Sequence, residues 1–266
     1  MSYETIEYRI EGKVGILTLA RPKSYNAITN RMKDELLTAL GIIQNDRDVR
    51  AVVITGKGRG FSAGADLTSF EGPMTPYDVE NDLNLKYANV VKRIVNLNKP
   101  VVAAINGPVA GAALGFAMAC DFLYMADTAS MRYAFINIAL IPDAGSSWFL
   151  TQAVGYHKAM QLICGGEKIP ADECHRLGLV HSIAPVESLL DDALSFAQRL
   201  AEGPTAAYVG TKRLLRYAAT HGLNDTMDKE SQEQALCILG SDNMEGVQAF
   251  LEKRKPKFTG KGFDHS

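Results

Sequence analysis

The chain has 266 residues, 47% of them hydrophobic and 22% charged, with a formal net charge of −2. That is enough chain for one large domain with an extension, and its balanced charge gives no bulk attraction to nucleic acid or an anionic membrane. No apolar run approaches the ~20 residues of a membrane span; the start lacks a basic-then-apolar leader; and four cysteines without C-x-x-C spacing argue for buried thiols in a reducing compartment rather than a metal site. The expectation is a cytoplasmic protein.

Taken in order, alternation over residues 3–9 and a β-branched run over 14–19, separated by Gly12, predict a strand pair. Arg21-Pro22-Lys23 closes the second strand and opens a loop through Asn26. Met32, Leu36, Leu37, Leu40 and Ile43 recur at helical spacing. Residues 51–55 read as a buried strand that opens into a glycine-rich loop over 56–66. This loop lacks the G-K-[ST] ending of a phosphate-binding loop and misses the spacing of the dinucleotide fingerprint. It is either a plain connection or, through Ala63-Gly64-Ala65, a place where backbone N–H groups approach a ligand. Residues 68–78, with Gly72, Pro73 and Pro76, read as a surface loop or a lid. Leu83, Tyr87, Val90, Val91 and Ile94 mark a helix that stops before Pro100.

The stretch from Lys99 to Gly145 organises the rest. A strand over 101–105 runs into Asn106-Gly107-Pro108, a turn signal, and from Gly111 small residues lead into an apolar helix over 113–119. The first N–H groups of a helix have no internal partner, so such a junction can hold an oxygen carrying negative charge. The stretch ends in one carboxylate, Asp143, between Pro142 and Ala144-Gly145. Asp143 is either a buried acid beside that turn or the N-cap of a helix starting near Ser146. Asp121 reads as a structural polar contact, and Trp148 as a core residue. Beyond Gly178 come a short strand over 179–184 and four helices. Asp242 and Glu245 read as the capping pair of the last helix. In the basic tail, Phe258 stands among four lysines and an arginine, suited either to solvent or to stacking on a base and neutralising phosphates.

These motifs together resemble the crotonase, or enoyl-CoA hydratase/isomerase, superfamily over essentially the whole chain. The resemblance rests on Arg21-Pro22-Lys23 with Asn26-Ala27, Phe61-Ser62-Ala63-Gly64-Ala65-Asp66, Lys99-Pro100-Val101 with Asn106-Gly107, residues 111–121, residues 141–145, Gly178-Leu179-Val180 and the K-R-K-P-K-F tail. It implies an α/β fold, a spiral of β-β-α units over residues 1–200 followed by a helical trimerisation region over 201–266, in a homotrimer or hexamer. It implies an acyl-CoA thioester as ligand, with coenzyme A entering as part of the substrate and no separate cofactor. The oxyanion donors carry over to the backbone N–H groups of Ala63 and Ala112. Substrate contacts carry over to Lys23, Asn26, Ala63, Gly64, Ala65, Asp66 and Gly111, with Phe135 shaping the acyl pocket. Phe258 and Lys261 match tail residues that reach the nucleotide of coenzyme A, often that of a neighbouring subunit.

Departures from the family pattern bear on the chemistry. Hydratases of this family carry glutamates at the positions of Gly115 and Phe135, and neither residue is acidic here. Asp143 falls where dienoyl-CoA isomerases, the ring-epoxide isomerase of phenylacetate breakdown and halobenzoyl-CoA dehalogenases carry a functional aspartate. The dehalogenases also need a histidine near the ring, and the five histidines all lie beyond the core site region. The expectation is therefore an isomerase of the phenylacetate-pathway type that shifts a double bond through an enolate, with Asp143 as catalytic acid and base. The alternatives are a hydratase with atypical acids, such as Glu71 or Asp78, and a non-catalytic acyl-CoA-binding partner subunit.

Overall fold

The computed structural model describes residues 3–69 and 74–261. The chain begins with the hairpin β1 (Ile6–Glu11) and β2 (Val14–Leu19), turning at Gly12 with φ +58°, a conformation open to glycine at little cost. It continues through α1 (Asn30–Asn45), β3 (Ala51–Gly56), α2 (Pro76–Asp82), a π-helical turn (Leu83–Tyr87), α3 (Ala88–Val95), β4 (Val101–Ile105), β5 (Val109–Ala110) and α4 (Ala113–Met118). Then come β6 (Phe122–Ala126), β7 (Ser130–Arg132), α5 (Ser146–Val154), α6 (Tyr156–Gly165), β8 (Lys168–Pro170), α7 (Ala171–Arg176) and β9 (Ser182–Ala184). Four helices finish it: α8 (Leu189–Glu202), α9 (Thr205–Ala218), α10 (Leu223–Ile238) and α11 (Ser241–Leu251).

The main sheet runs β1-β2-β3-β4-β6-β9, parallel throughout except for the β1–β2 hairpin. Every residue of β3 and β4 is buried, which is why their sequences read as continuous rather than alternating apolar runs. Helix α8 lies across β2, β3, β4 and β6, and α1 packs on β1 and α3.

A second, thinner layer forms beside the sheet. Ile28 bridges Ala65, Ser62 bridges Val109, β5 pairs with β7, and β7 with β8. Each winding of the chain thus adds a long strand to one layer and a short segment to the other. This is the expected α/β spiral. The short segments escape sequence reading because two or three residues carry no periodicity.

Several local expectations are corrected. The region from residue 74 includes the first turn of α2, where Thr75 and Asp78 form a reciprocal capping box; Glu71 lies outside the described residues. Trp148 is not a core residue: it is 39% exposed and meets the Phe149 ring edge-on. Asp242 and Glu245 do not cap α11, whose N-cap is Gly240. Asp242 instead accepts from the backbone of Thr259 and Gly260, and Glu245 from Arg254 and the Lys257 amide, so both fold the tail back onto the helix. Asp121 is the structural contact expected: it accepts from the Val101 amide and pairs with Lys212 and Arg216. The domain boundary expected at residue 200 falls just inside the end of α8.

Candidate active site

Two turns leave the ends of β3 and β4 and meet backbone to backbone. Gly64, at φ +92°, faces Gly111, at φ +56°. A Cβ on Gly64 would lie 2.7 Å from the Ala110 carbonyl oxygen and 3.3 Å from the Gly111 Cα. Only glycine permits both the left-handed conformation and this approach.

The contact brings Ala65 and Ala112 to the same junction. Among the described residues, the N–H groups of Ala65 and Ala112 meet no hydrogen-bond acceptor. Ala112 is the N-cap of α4, so its N–H points out of the helix start. The Ala63 N–H, expected to be a donor, is instead bonded to the Tyr25 carbonyl at 2.9 Å. The free donor lies two residues on because the parallel bridge of Ile28 to Ala65 engages Gly64 O and Asp66 N and leaves the Ala65 N–H on the other side.

Asn26 and Asp66 act beneath the surface. The Asn26 side chain is fully buried: its oxygen accepts from the Arg21 amide and its nitrogen donates to the carbonyls of Lys57, Gly60 and Phe61. Asp66 accepts from Thr68 and pairs with Arg21 at 2.8 Å, and these bonds hold its carboxyl below the usual range. Both clamp the ligand-facing loop and do not present a free polar side chain to it. Lys23 and Ala63 stay exposed at the rim, while Phe135 is buried in the core three residues beyond β7.

Asp143 lies beside α4, where its neighbour Ala144 abuts Gly115, three residues beyond Ala112. Its Oδ1 is buried and meets no hydrogen-bond partner among the described residues. Burial is the main reason its carboxyl is pushed up to about 6; Asp82 adds to the rise and Lys33 opposes it. The N-cap reading fails: the N-cap of α5 is Gly145, with no side-chain cap, and only the Asp143 carbonyl meets Ser146. The turn is held in an unusual shape, with Ala144 at φ +49° and Gly145 at φ +75°.

Its backbone occupies the space where Gly115 would need a side chain. A Cβ on Gly115 would lie 2.1 Å from the Ala144 carbonyl oxygen. Asp78 is withdrawn from the candidate acids, because its carboxyl belongs to the capping box. His181 packs edge-on against Tyr124 and is unconnected with the site.

Phe258 and Lys261 lie elsewhere. Lys261 borders a cleft with Arg47, Arg50 and Lys99, at the starting ends of β3 and β4. The glycine turns leave the opposite ends, a strand length of roughly 17–20 Å away. One chain therefore does not bring its tail residues to its own glycine junction.

Near Asp143, Lys33 and Asp82 escaped the sequence reading, and Tyr87 was read only as an apolar position of its helix. Lys33 is buried and pairs with Asp82, its Nζ 2.7 Å from Asp82 Oδ2 and 4.0 Å from the centre of the Tyr87 ring. The available signal was Lys33 itself, which stands three and seven residues before the apolar Leu36 and Leu40 and so shares their face.

Comparison with known proteins agrees with this architecture. The family model described as enoyl-CoA hydratase/isomerase matches residues 9–261. The chain is 37% identical over 261 residues to a protein of Rhodobacter capsulatus named probable enoyl-CoA hydratase, covering 98% of this chain and 100% of that one. It is 36% identical over 262 residues to the 1,2-epoxyphenylacetyl-CoA isomerase of Escherichia coli K12, covering 97% and 99%. The crystal structure of an enoyl-CoA hydratase from Polaromonas sp. JS666 superposes with a TM-score of 0.91 at 32% identity, over 95% of this chain and 99% of that one. The chain belongs to the enoyl-CoA hydratase/isomerase family, with the crotonase fold.

Proposed function

We propose that the protein is an acyl-CoA isomerase that moves a carbon–carbon double bond from the 3- to the 2-position, or rearranges a ring-epoxide phenylacetyl-type thioester, through an enolate. The observation that carries this reading is the Asp143 carboxyl, one acid with an unpartnered buried oxygen and a raised proton affinity. In the proposed step the Asp143 carboxylate takes a proton from C2. The electron pair moves onto the thioester oxygen, held by the N–H groups of Ala65 and Ala112. The same carboxyl then returns the proton to C4 as the double bond shifts, so no water is consumed. One such N–H donor is worth about 10²–10³ in rate, and an acid near 6 suits a base working near neutrality better than an ordinary aspartate.

Gly115 and Phe135 favour this over hydration. Hydration needs a second acid to place water, and the Ala144 carbonyl blocks the first of those positions while Phe135 is apolar at the other. Coenzyme A would run past Lys23 and the 63–66 loop. Phe258 and Lys261 would serve the site of a neighbouring copy in a homotrimer or hexamer.

The test is turnover of a linear 3-enoyl-CoA to its conjugated isomer in deuterated water, with crotonyl-CoA hydration measured alongside. Asp143→Asn is expected to lose about 10²–10⁴ in kcat with little change in KM. Unchanged turnover in the variant removes Asp143 from the mechanism. Rapid hydration of crotonyl-CoA by the natural chain would favour the hydratase, and tight binding of the esters without turnover would favour a binding subunit.

A further inference from the structure

Tyr87 ends the π-helical turn and is 4% exposed. Its ring stands between the Lys33 ammonium, 4.0 Å from the ring centre, and the Phe116 ring at 6.1 Å. Lys33 is fixed in turn by the Asp82 carboxylate. Two contacts place the segments that carry and flank this ring beside the Asp143 turn. Phe116 follows Gly115, which abuts Ala144. Val91, one helical turn beyond Tyr87, comes within 3.8 Å of where a Cβ on Gly145 would stand.

The ring is clamped on both sides, yet the hydroxyl makes no hydrogen bond with any described residue. Its oxygen is not among the sealed unpartnered side-chain atoms of the described residues, which belong to Tyr3, Tyr8 and Asp143; once a bound acyl group shuts water away from it, a phenol left without a partner costs about 1–3 kcal/mol. Burial and the nearby carboxylates of Asp82, Asp143 and Asp66 keep the phenol neutral, and a neutral phenol can both donate and accept.

We propose that the Tyr87 hydroxyl is a specificity group that hydrogen-bonds an oxygen carried by the acyl part of the substrate, with Lys33 and Asp82 as the positioning residues that hold its ring. This rests on the acyl-CoA reading above and narrows it to acyl groups bearing a hydroxyl, ether or epoxide oxygen within reach of the Asp143 turn. A hydrocarbon acyl group leaves the phenol unpaired, and a site built around a polar contact discriminates against a ligand that lacks it.

The test uses binding, which does not depend on turnover. Phenylacetyl-CoA and its ortho-, meta- and para-hydroxyphenyl counterparts are titrated calorimetrically into the full-length protein and into Tyr87→Phe, with thermal melting to verify the variant's fold. The natural chain is expected to bind at least one hydroxylated ester about tenfold more tightly than phenylacetyl-CoA, and Tyr87→Phe to erase that ratio. Lys33→Met, which releases the ring, is expected to reduce the ratio. No preference in the natural chain, or a preference that survives in Tyr87→Phe, overturns the assignment. An unchanged ratio in Lys33→Met overturns the positioning role. Failure of all four esters to bind where a linear 3-enoyl-CoA binds overturns the assignment, and failure of that ester as well overturns the acyl-CoA reading itself.

Discussion

A carboxylate oxygen in a protein interior without a hydrogen-bond partner is unfavourable, and Asp143 holds one. Because burial favours the neutral form, the folded chain keeps this proton up to about pH 6, whereas the ordinary value is 3.8. A folded-state value raised in this way stabilises the protonated chain below about pH 4, and that contribution disappears as the pH rises through about 6. The difference amounts to roughly 3 kcal/mol. Asp143→Asn is therefore expected to melt roughly 5–10 °C above the natural chain at pH 8 and close to it at pH 4, while losing activity. Differential scanning calorimetry at the two pH values checks this, and equal melting points at pH 8 would mean the carboxyl is well solvated. Gly115 makes the complementary case. With the Ala144 carbonyl 2.1 Å from any added Cβ, Gly115→Glu is expected to destabilise the fold by about 3 kcal/mol or more and to gain no crotonyl-CoA hydration. A stable, hydrating variant would show that the Asp143 turn yields easily.

Among the secondary-structure elements, α9 is tied to the sheet by one acidic residue. Asp121, at the start of β6, receives the Val101 amide of β4 and the Lys212 ammonium at 2.8 Å, and Arg216 joins it from the next turn of α9. Lys212 is buried, and desolvation lowers its proton affinity even with Asp121 opposite. Removing the acid strands that ammonium, so Asp121→Ala is expected to cost about 3–5 kcal/mol in chemical denaturation. A loss below about 1 kcal/mol would mean that water reaches Lys212. The Lys33–Asp82 pair ties α1 to the end of α2 in the same manner, and beside it the helix passes through a π turn. Such turns occur often at functional sites, and this one ends on Tyr87.

At the level of the assembled protein, the tail is not loose. Arg50 donates to the Phe258 carbonyl, and Asp242 holds Thr259 and Gly260, which fixes Phe258 and Lys261 at the end of the sheet away from the glycine junction. If the tail completes a neighbour's site, two defective chains should repair one another. Asp143→Asn and Lys261→Ala, refolded together, are expected to recover more isomerase activity than the sum of the separate proteins, because some sites combine an intact Asp143 with an intact Lys261. Additive activity, with a monomer in sedimentation, would overturn the shared site. The exposed Phe250, Met244 and Leu251 of α11 are compatible with a surface covered in such an assembly.

Read as sequence alone, the chain already declared its family, its central strands and its two glycine turns. β3 and β4 are apolar on both faces and the turns need left-handed backbone, so local chemistry writes both directly into residue type. Asp143 stood out for the same reason, as a lone acid in an uncharged run. The donor at Ala65 rather than Ala63, the burial of Asn26 and the block at Gly115 were decided only in three dimensions. Each depends on which partner a backbone group or side chain meets across the spiral, such as Tyr25 O for Ala63 or Ala144 O for Gly115. The Lys33–Asp82–Tyr87 cluster is of the same kind: its residues are 49 and 54 positions from Lys33, and only packing brings them together. Periodicity reports which face of an element is covered; it does not say by what, and hydrogen bonding and proton affinity depend on that neighbour.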